Sequence, residues 1–520
     1  MNSSGYGGTS SSSGALLQLL AVGAMDSLLT KGATKTFWKP AYAKATAFSL
    51  ESINQAFTGS PSWGGESSIT LNRSGDLLFK QFIKIILPGL TTQKRDDSPN
   101  VVSQPAFPSS DCDGQKCADL SVYLSYVGEG YTAASDGTKQ QMLDDGKKQW
   151  EQVRYGCAPA PLANGATLFD APEYDAAWWT EATGFACIKR LELKIGGSVI
   201  DCNWAELMFV MEELSGHSGK KLTEMVNRTF RSVDRLIANS RETQILYVPV
   251  GFWYTAAPSL ALPLACLQFH NVHLNVQWAP LSSLVMKSMC DLVVLRSDTG
   301  MPLGDSDLQA SVESVYVHLS TDERDSLIAA PGNDCYDKRN DRIKCPPKAQ
   351  GGLHYLITQS QAKKITVNSS NLDVQLGMSF CVSALMFCIR RKSAREANDL
   401  FNFSGIAGRA PLINAALAFN STTRVAAHPE VWWRLVQPYM HWPSLPLARI
   451  YSYSFALQPS VVTEPSGCAN FSRLDNVSLE LQLQDEFGAG SQEDAELFVF
   501  ARNFNLLKIC AGMCSVCYSS

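Results

Sequence analysis

The chain has 520 residues, of which 45% are hydrophobic and 18% charged, with 11 Trp, 16 Tyr and 23 Phe. This hydrophobic content excludes a disordered chain and suffices for two large β domains or three smaller domains. The net charge of −5 argues against a nucleic-acid binder that works by neutralising phosphates. Low charge with many aromatic residues is instead typical of proteins that bury large interfaces.

The N-terminal residues 1–14 are rich in Ser and Gly and lack the charged start of a signal peptide. Residues 15–29 are amphipathic and predict a short helix. The 15 cysteines are odd in number and several lie within apolar runs, for example Cys187 and Cys388. This pattern favours buried thiols in a reducing compartment over a disulfide framework.

Alternation of apolar and polar residues predicts β-strands through most of the chain. The clearest alternating runs are residues 191–195, 272–276, 315–319 and 477–483. The segment 72–75, Asn-Arg-Ser-Gly, separates the apolar runs 69–71 and 77–87 as a hairpin turn would. Beyond residues 15–29, helical pattern occurs only at residues 204–214 and 222–237. No strand–helix–strand rhythm is present, so we predict an all-β, antiparallel fold.

Two apolar stretches need separate interpretation. Residues 243–269 are uncharged and long enough to cross a bilayer, but they contain Pro249, Pro258 and Pro263, so we interpret them as strand, turn and strand. The segment 374–389 is too short to span a bilayer and is rich in β-forming residues.

Two segments interrupt the strand pattern. Residues 91–180 are rich in Asp, Ser, Pro, Gly and Ala and predict a long insertion that carries a function or forms a layer of its own. Residues 329–352 are polar and predict a linker between a larger first unit, residues 32–328, and a smaller second unit that begins at residue 353.

Candidate catalytic motifs are weak. The segment 216–220, Gly-His-Ser-Gly-Lys, satisfies neither a nucleophile elbow nor a phosphate-binding loop, and we interpret it as a polar turn. The carboxylates of Asp322 and Glu323 lie beside Arg324 and predict a local ion pair rather than an acid/base dyad. We therefore predict that the protein is not an enzyme and assign no catalytic residue.

Candidate metal ligands are equally weak. His270 and His273 are three apart on a predicted strand and point to opposite faces. Cys510, Cys514 and Cys517 have helical spacing but need a fourth ligand, for which Cys112 or Cys117 is too loosely spaced. We assign no metal site and no cofactor. Asn-x-Ser/Thr sequons occur at Asn2, Asn72, Asn227, Asn368, Asn402, Asn420, Asn470 and Asn476.

The order of several segments carries a stronger signal. They are LLQLLAVGAMDSLLTKGATKTFWK (16–39), RSGDL (73–77), IKRLELKIGGSVID (188–201), LYVPVGFWYTAAPSLALPLACLQFHNV (246–272), LSTDER (319–324), QPY (437–439), IYSYSFAL (450–457) and PSGCANFSRLDN (465–476). This series resembles the major capsid proteins of the nucleocytoplasmic large DNA viruses, such as the iridovirus and algal-virus groups. The last two segments are the most specific.

The resemblance implies a double jelly roll, two tandem eight-stranded sandwiches with long loop insertions and a few short helices. It implies residues 1–31 as an N-terminal arm at the inner base, residues 32–328 as the first roll, 329–352 as a linker and 353–520 as the second roll. Residues 91–180 and 215–240 would form outer towers.

The resemblance also implies a homotrimer whose six rolls make a pseudo-hexagonal capsomer of an icosahedral shell in the virion, assembled in the host cytoplasm. The implied partners are neighbouring capsomers, minor capsid proteins, the penton and, through minor proteins, an internal membrane, with no direct contact to nucleic acid.

Three aromatic clusters, residues 37–39, 178–179 and 432–433, are candidate contact anchors or ordinary core. A β-sandwich of this kind would also suit two other functions, those of a carbohydrate-binding attachment protein and of a hydrolase. A minor capsid or scaffold paralogue would share the same fold.

Overall fold

A computed structural model describes residues 20–21, 23, 45–94, 177–216, 222–230, 232–287, 292–329, 352–367, 369–484 and 495–518. Contacts divide the chain into one unit of residues 1–47 and a second of residues 48–520. The second unit contains two β-sandwiches, which we call roll 1 and roll 2.

Each roll has eight main strands. Those of roll 1 are β1 (Phe48–Ala56), β2 (Glu66–Thr70), β3 (Leu77–Leu87), β4 (Ile188–Ile195), β5 (Ser198–Trp204), β6 (Gln244–Pro249), β7 (Val272–Trp278) and β8 (Gln309–Leu319). Those of roll 2 are β9 (Leu353–Val367), β10 (Asn371–Gln375), β11 (Cys381–Arg391), β12 (Leu412–Phe419), β13 (Thr422–Pro429), β14 (Ile450–Ser454), β15 (Val477–Leu483) and β16 (Ala495–Cys510).

The two rolls repeat one topology. In roll 1 the strand orders of the facing sheets are β1-β8-β3-β6 and β2-β7-β4-β5, and in roll 2 they are β9-β16-β11-β14 and β10-β15-β12-β13. All of these pairings are antiparallel. In both rolls, therefore, the first, eighth, third and sixth strands form one sheet, and the second, seventh, fourth and fifth form the other. The fold is a double jelly roll, as the resemblance implied.

Shorter elements occupy the connections. The α-helices that lie wholly within the described residues are α1 (Thr183–Ala186), α2 (Ala205–Ser215), α3 (Val233–Ser240), α4 (Thr321–Ala329), α5 (Lys392–Glu396) and α6 (Gln437–His441), with a π-helix at Trp432–Val436. Short strands lie at Leu90–Lys94, Ala177–Trp179, Leu262–Pro263, Val285–Lys287, Leu292–Arg296, Ala469–Asn470 and Met513–Val516. The 3-10 turns are Glu224–Val226, Trp253–Thr255, Pro258–Leu260, Leu264–Cys266, Leu281–Ser283, Asp305–Asp307, Ile406–Gly408 and Phe471–Arg473.

The alternating runs form the predicted strands. In β7 the residues Val272, Leu274 and Val276 are at most 3% exposed, while His273 and Asn275 between them are half-buried. One face of each such strand packs into its sandwich, because side chains alternate across a pleated sheet.

The apolar stretch 243–269 is only partly as predicted. Its start is β6, but a second full strand does not follow, because three 3-10 turns and the two-residue strand Leu262–Pro263 occupy the rest. The prolines fix φ and remove backbone donors, which limits ladder pairing. Within the described part of the chain, no helix is long and apolar enough to span a membrane.

Candidate functional site

The two rolls meet at a joint between α2 of roll 1 and the outer face of the β9-β16-β11-β14 sheet of roll 2. Strand β11 shows this directly. Leu385 and Phe387 pack in the core of roll 2, whereas Met386 and Cys388 pack into the hydrophobic cluster of roll 1. Because both faces of β11 are covered, its sequence is a nearly continuous apolar run.

Helix α2 follows β5 without a loop and reaches across to roll 2. Its N-cap Trp204 is still extended, and it ends at Gly216, which has a left-handed φ of 54° that favours glycine. The ring of Phe209 stacks on Phe401 of roll 2 at 4.5 Å and lies edge-on to Phe403 at 6.1 Å. Such aromatic pairs contribute about 0.5–1.5 kcal/mol each beyond the area they bury.

A buried ion cluster lies beside these rings. Arg390 of β11 donates to Glu496 of β16 at 2.7 Å and to Glu206 of α2 at 3.1 Å, which ties roll 2 to roll 1. Lys364 and Arg395 each contact the other oxygen of Glu496 at 2.8 Å. Burial raises the pKa of the Glu496 carboxyl, but the three cationic donors outweigh this effect and lower the pKa to about 2.

A second polar contact joins β5 to β9. The carboxylate of Asp201 accepts hydrogen bonds from the backbone N–H groups of Ser360, at 2.9 Å, and Cys202, at 2.8 Å. Burial raises the pKa of Asp201 to about 7, although these donors and Arg502 act in the opposite direction. The joint therefore combines apolar contact with polar groups that are paired inside it.

The predicted insertion 91–180 leaves and re-enters roll 1 through paired strands. Leu90–Lys94 pairs with Leu292–Arg296, and Ala177–Trp179 pairs with Val285–Lys287. The insertion's residues 95–176 lie outside the described residues, as do most of the N-terminal arm and the predicted linker.

Two of the three aromatic clusters consist of residues that pack in the protein core. Trp178 is 3% exposed and Trp179 is 0% exposed. Trp433 is 1% exposed and lies edge-on to Phe387 at 5.7 Å, while Trp432 is half-buried against it. The interpretation of these clusters as contact anchors is wrong, and the cluster at 37–39 lies outside the described residues.

The histidines and cysteines considered as metal ligands do not form one site. His270 accepts from the backbone N–H of Cys514 at 3.0 Å, and His273 contacts Thr70 at 2.9 Å. The helical spacing of Cys510, Cys514 and Cys517 was misleading, because β16 and Met513–Val516 form a hairpin there. Among the described residues no three or more His, Cys, Asp or Glu side chains are grouped as metal ligands would be.

Other local motifs are also structural. Arg324 contacts Asp76 at 3.1 Å, so its ion-pair partner directly precedes β3 and is not one of the neighbouring carboxylates that the sequence predicted. Gly216 ends α2, and residues 217–220 of the same motif lie outside the described residues. The sequon residues Asn227 and Asn402 are buried.

Sequence reasoning missed the joint, although one signal for it was present. The apolar run 374–389 predicts only a β-forming segment, but within it residues 384–389 are apolar at every position. A strand that is apolar on both faces indicates a sheet covered on both sides, which requires a second layer outside the sandwich.

Comparison with known sequences matches the two halves of the chain to two family models. One, described as "Major capsid protein N-terminus", matches residues 36–104 and 161–319. The other, described as "Large eukaryotic DNA virus major capsid protein", matches residues 348–515. Together they span most of the chain.

Individual relatives match along the same length. The chain is 25% identical to the major capsid protein of Chrysochromulina ericina virus over 636 aligned positions, covering 98% of this chain and 100% of that protein. It is 23% identical to the major capsid protein of Paramecium bursaria Chlorella virus 1, again over 98% of this chain and 100% of that protein.

Solved structures share the fold. The PBCV-1 protein VP54 superimposes with a TM-score of 0.60 at 20% identity, covering 93% of this chain and 100% of VP54. The Faustovirus major capsid protein superimposes with a TM-score of 0.61 at 11% identity, covering 95% and 96%. With the two family models, these findings show that the chain belongs to the major capsid proteins of large eukaryotic DNA viruses.

Proposed function

We propose that three copies of this chain form a homotrimeric, pseudo-hexagonal capsomer that tiles the icosahedral shell of a large double-stranded DNA virus. The observation that supports it is the internal repeat: one chain carries two rolls of the same strand order. Three such chains supply six like units, which suits hexagonal packing in a flat lattice.

The proposed domain layout follows the resemblance: an arm at residues 1–31, roll 1 within residues 32–328, a linker at 329–352 and roll 2 within 353–520. The sheets are compatible with it, since among the described residues no strand of roll 1 pairs with a strand of roll 2. Residues 91–180 and 215–240 are proposed as outer towers, and the arm as part of the inner base.

The proposed partners are neighbouring capsomers, minor capsid proteins, the penton and, through minor proteins, an internal membrane. We propose no direct contact with nucleic acid, in keeping with the net charge of −5, and no catalytic role. Trimers would form in the host cytoplasm before they join the shell.

The decisive measurement is the molar mass of the purified full chain by light scattering after size exclusion. The proposal expects a stable species of about 170 kDa, three times 56.8 kDa, with a hexagonal outline in electron micrographs. Far-ultraviolet circular dichroism serves as the folding control. A folded monomer that persists at high protein concentration would contradict the proposed trimer.

A further inference from the structure

The outer faces of two equivalent sheets differ in exposure. In roll 2 the third and sixth strands pair outward-facing Cys388 with Ile450, and both are 0% exposed because roll 1 covers them. In roll 1 the same two strands pair Ile86 with Ile245, and Ile245 is 53% exposed. Roll 1 therefore exposes apolar surface to solvent at the sheet position that roll 2 buries.

The apolar character of this face extends beyond Ile245. Tyr247 on the same strand and Phe82 on β3 also face outward and are half-buried, and they alternate with inward-facing Leu246 and Ile83. The face also contains one cation, because half-buried Lys84 lies between Phe82 and Ile86 and pairs with Tyr247, with its Nζ 5.8 Å from the centre of the Tyr247 ring. We call the surface formed by Phe82, Ile86, Ile245 and Tyr247 the open sheet face.

The structure also shows what covers such a face. In roll 1 the fifth strand, β5, runs directly into α2, and α2 packs on the outer sheet of roll 2. In roll 2 the fifth strand, β13, likewise runs directly into a helical segment, residues 430–441, which includes the π-helix and α6. The two segments are therefore topological equivalents.

The second helical segment has an uncovered apolar side. Val436, Tyr439 and Met440 have the spacing i, i+3 and i+4, which places them on one helix face. They are 39%, 79% and 51% exposed. Leu457, 70% exposed, adjoins them through its carbonyl oxygen, which lies 3.2 Å from Nδ1 of His441. We call Val436, Tyr439, Met440 and Leu457 the apolar helix face.

We propose that the apolar helix face of one copy docks on the open sheet face of a second copy, and so repeats between chains the joint that α2 makes within one chain. The described residues of the chain leave both surfaces uncovered, and each is the counterpart of a surface that is paired inside the joint. A contact of this kind is head-to-tail, so it does not end at a dimer, and it closes into a ring of three when successive copies are related by a three-fold rotation. This inference rests on the proposed trimer and specifies its contact.

The two contacts differ in chemistry. The joint within the chain contains the Arg390, Glu206 and Glu496 ion cluster, whereas the apolar helix face offers Val, Tyr, Met and Leu. On the open sheet face Lys84 is the cation among the four apolar side chains, and it is held over the Tyr247 ring. The contact between copies therefore depends mainly on burial of apolar surface, and a carboxylate buried among these apolar side chains should weaken it.

The test compares three single variants of the full chain by light scattering: Met440→Glu on the apolar helix face, Ile245→Glu on the open sheet face, and Met513→Glu as control. Met513 is 50% exposed, almost the same as Met440, but lies on the C-terminal hairpin. We expect the first two variants at about 57 kDa and the control at the trimer mass of the wild type. Tyr439→Ser, at a position 79% exposed, gives a second helix variant that does not risk the fold.

Mixing the variants tests the head-to-tail geometry. Met440→Glu chains keep an intact sheet face and Ile245→Glu chains keep an intact helix face, so the mixture should form a heterodimer of twice 56.8 kDa that grows no further. A trimeric wild type with folded, still trimeric Met440→Glu and Tyr439→Ser variants would overturn this inference and leave the proposed trimer standing. A folded, monomeric wild type would overturn the proposed trimer itself.

Discussion

The ion cluster at Glu496 makes a quantitative prediction about the joint. Glu496→Gln removes the negative charge that Arg390, Lys364 and Arg395 share, and leaves Arg390, whose side chain is 6% exposed, with Glu206 as its remaining carboxylate partner. Loss of one member of a buried ion pair is costly because the other charge stays desolvated.

The structure sets the size of the effect. A carboxyl whose pKa falls from 4.5 to about 2 gains about 3 kcal/mol in its charged form. The side chains of Lys364 and Arg395 are 55% and 45% exposed, so solvent screens their share. We therefore expect Glu496→Gln to lower the free energy of unfolding by about 2 kcal/mol at pH 7.

The pH dependence has a defined sign. Because folding depresses the pKa of Glu496, its contribution is complete above pH 4.5 and is lost as the pH falls toward 2. The difference between wild type and Glu496→Gln should be constant from pH 7 to 5 and fall by about half by pH 3.

Urea denaturation at several pH values, with hydrogen exchange at β11 and β16 as a local readout, measures this difference. The matched control is Glu480→Gln, the same change at an exposed position on β15, where we expect less than about 0.5 kcal/mol. Equal effects of the two variants at pH 7, or a difference that does not shrink by pH 3, would refute the reasoning.

Three further predictions concern the joint and the insertion. Burial raises the pKa of Asp201 to about 7, so the stability that its protonated form contributes below pH 4 is lost as the pH rises through 7. The melting temperature of Asp201→Asn should therefore rise relative to that of the wild type between pH 5 and 8. A constant difference in melting temperature would contradict this. Phe209→Ala should cost about 3–5 kcal/mol in urea denaturation, since the ring is 4% exposed against Phe401, whereas Phe269→Ala, at a 73% exposed position, should cost little. Replacing residues 95–176 by a short Gly-Ser linker between strands Leu90–Lys94 and Ala177–Trp179, which contact each other, should abolish trimers and keep the β circular dichroism; a deletion variant that still trimerises would refute a role for the insertion in trimer contacts.

Local sequence pattern was sufficient where one face of a strand meets the core. The alternating run 477–483 became β15, and residues 272–276 lie within β7. The helical run 204–214 became α2, which spans Ala205–Ser215. In each case the periodicity of buried positions is a property of neighbouring residues alone, so it is visible in the sequence.

Local pattern failed where a distant contact sets the environment. The spacing of Cys510, Cys514 and Cys517 reads as helical, yet the segment is a hairpin because β16 already belongs to a sheet. The tryptophans at 178–179 and 433 are core residues and not contact anchors. The sequence could not show this, because hydrophobicity alone does not distinguish an interior position from a contact surface.

By itself, the sequence determined the all-β class, the antiparallel strands and, through the order of its motifs, the family. Only the tertiary structure decided how the rolls meet: which side of β11 faces its own core, which carboxylates Arg390 pairs with, and that Ile245 stays open where Ile450 is covered. The reason is physical. The periodicity of apolar residues shows that one face of a strand is buried. Which element buries that face depends on residues hundreds of positions away in the sequence.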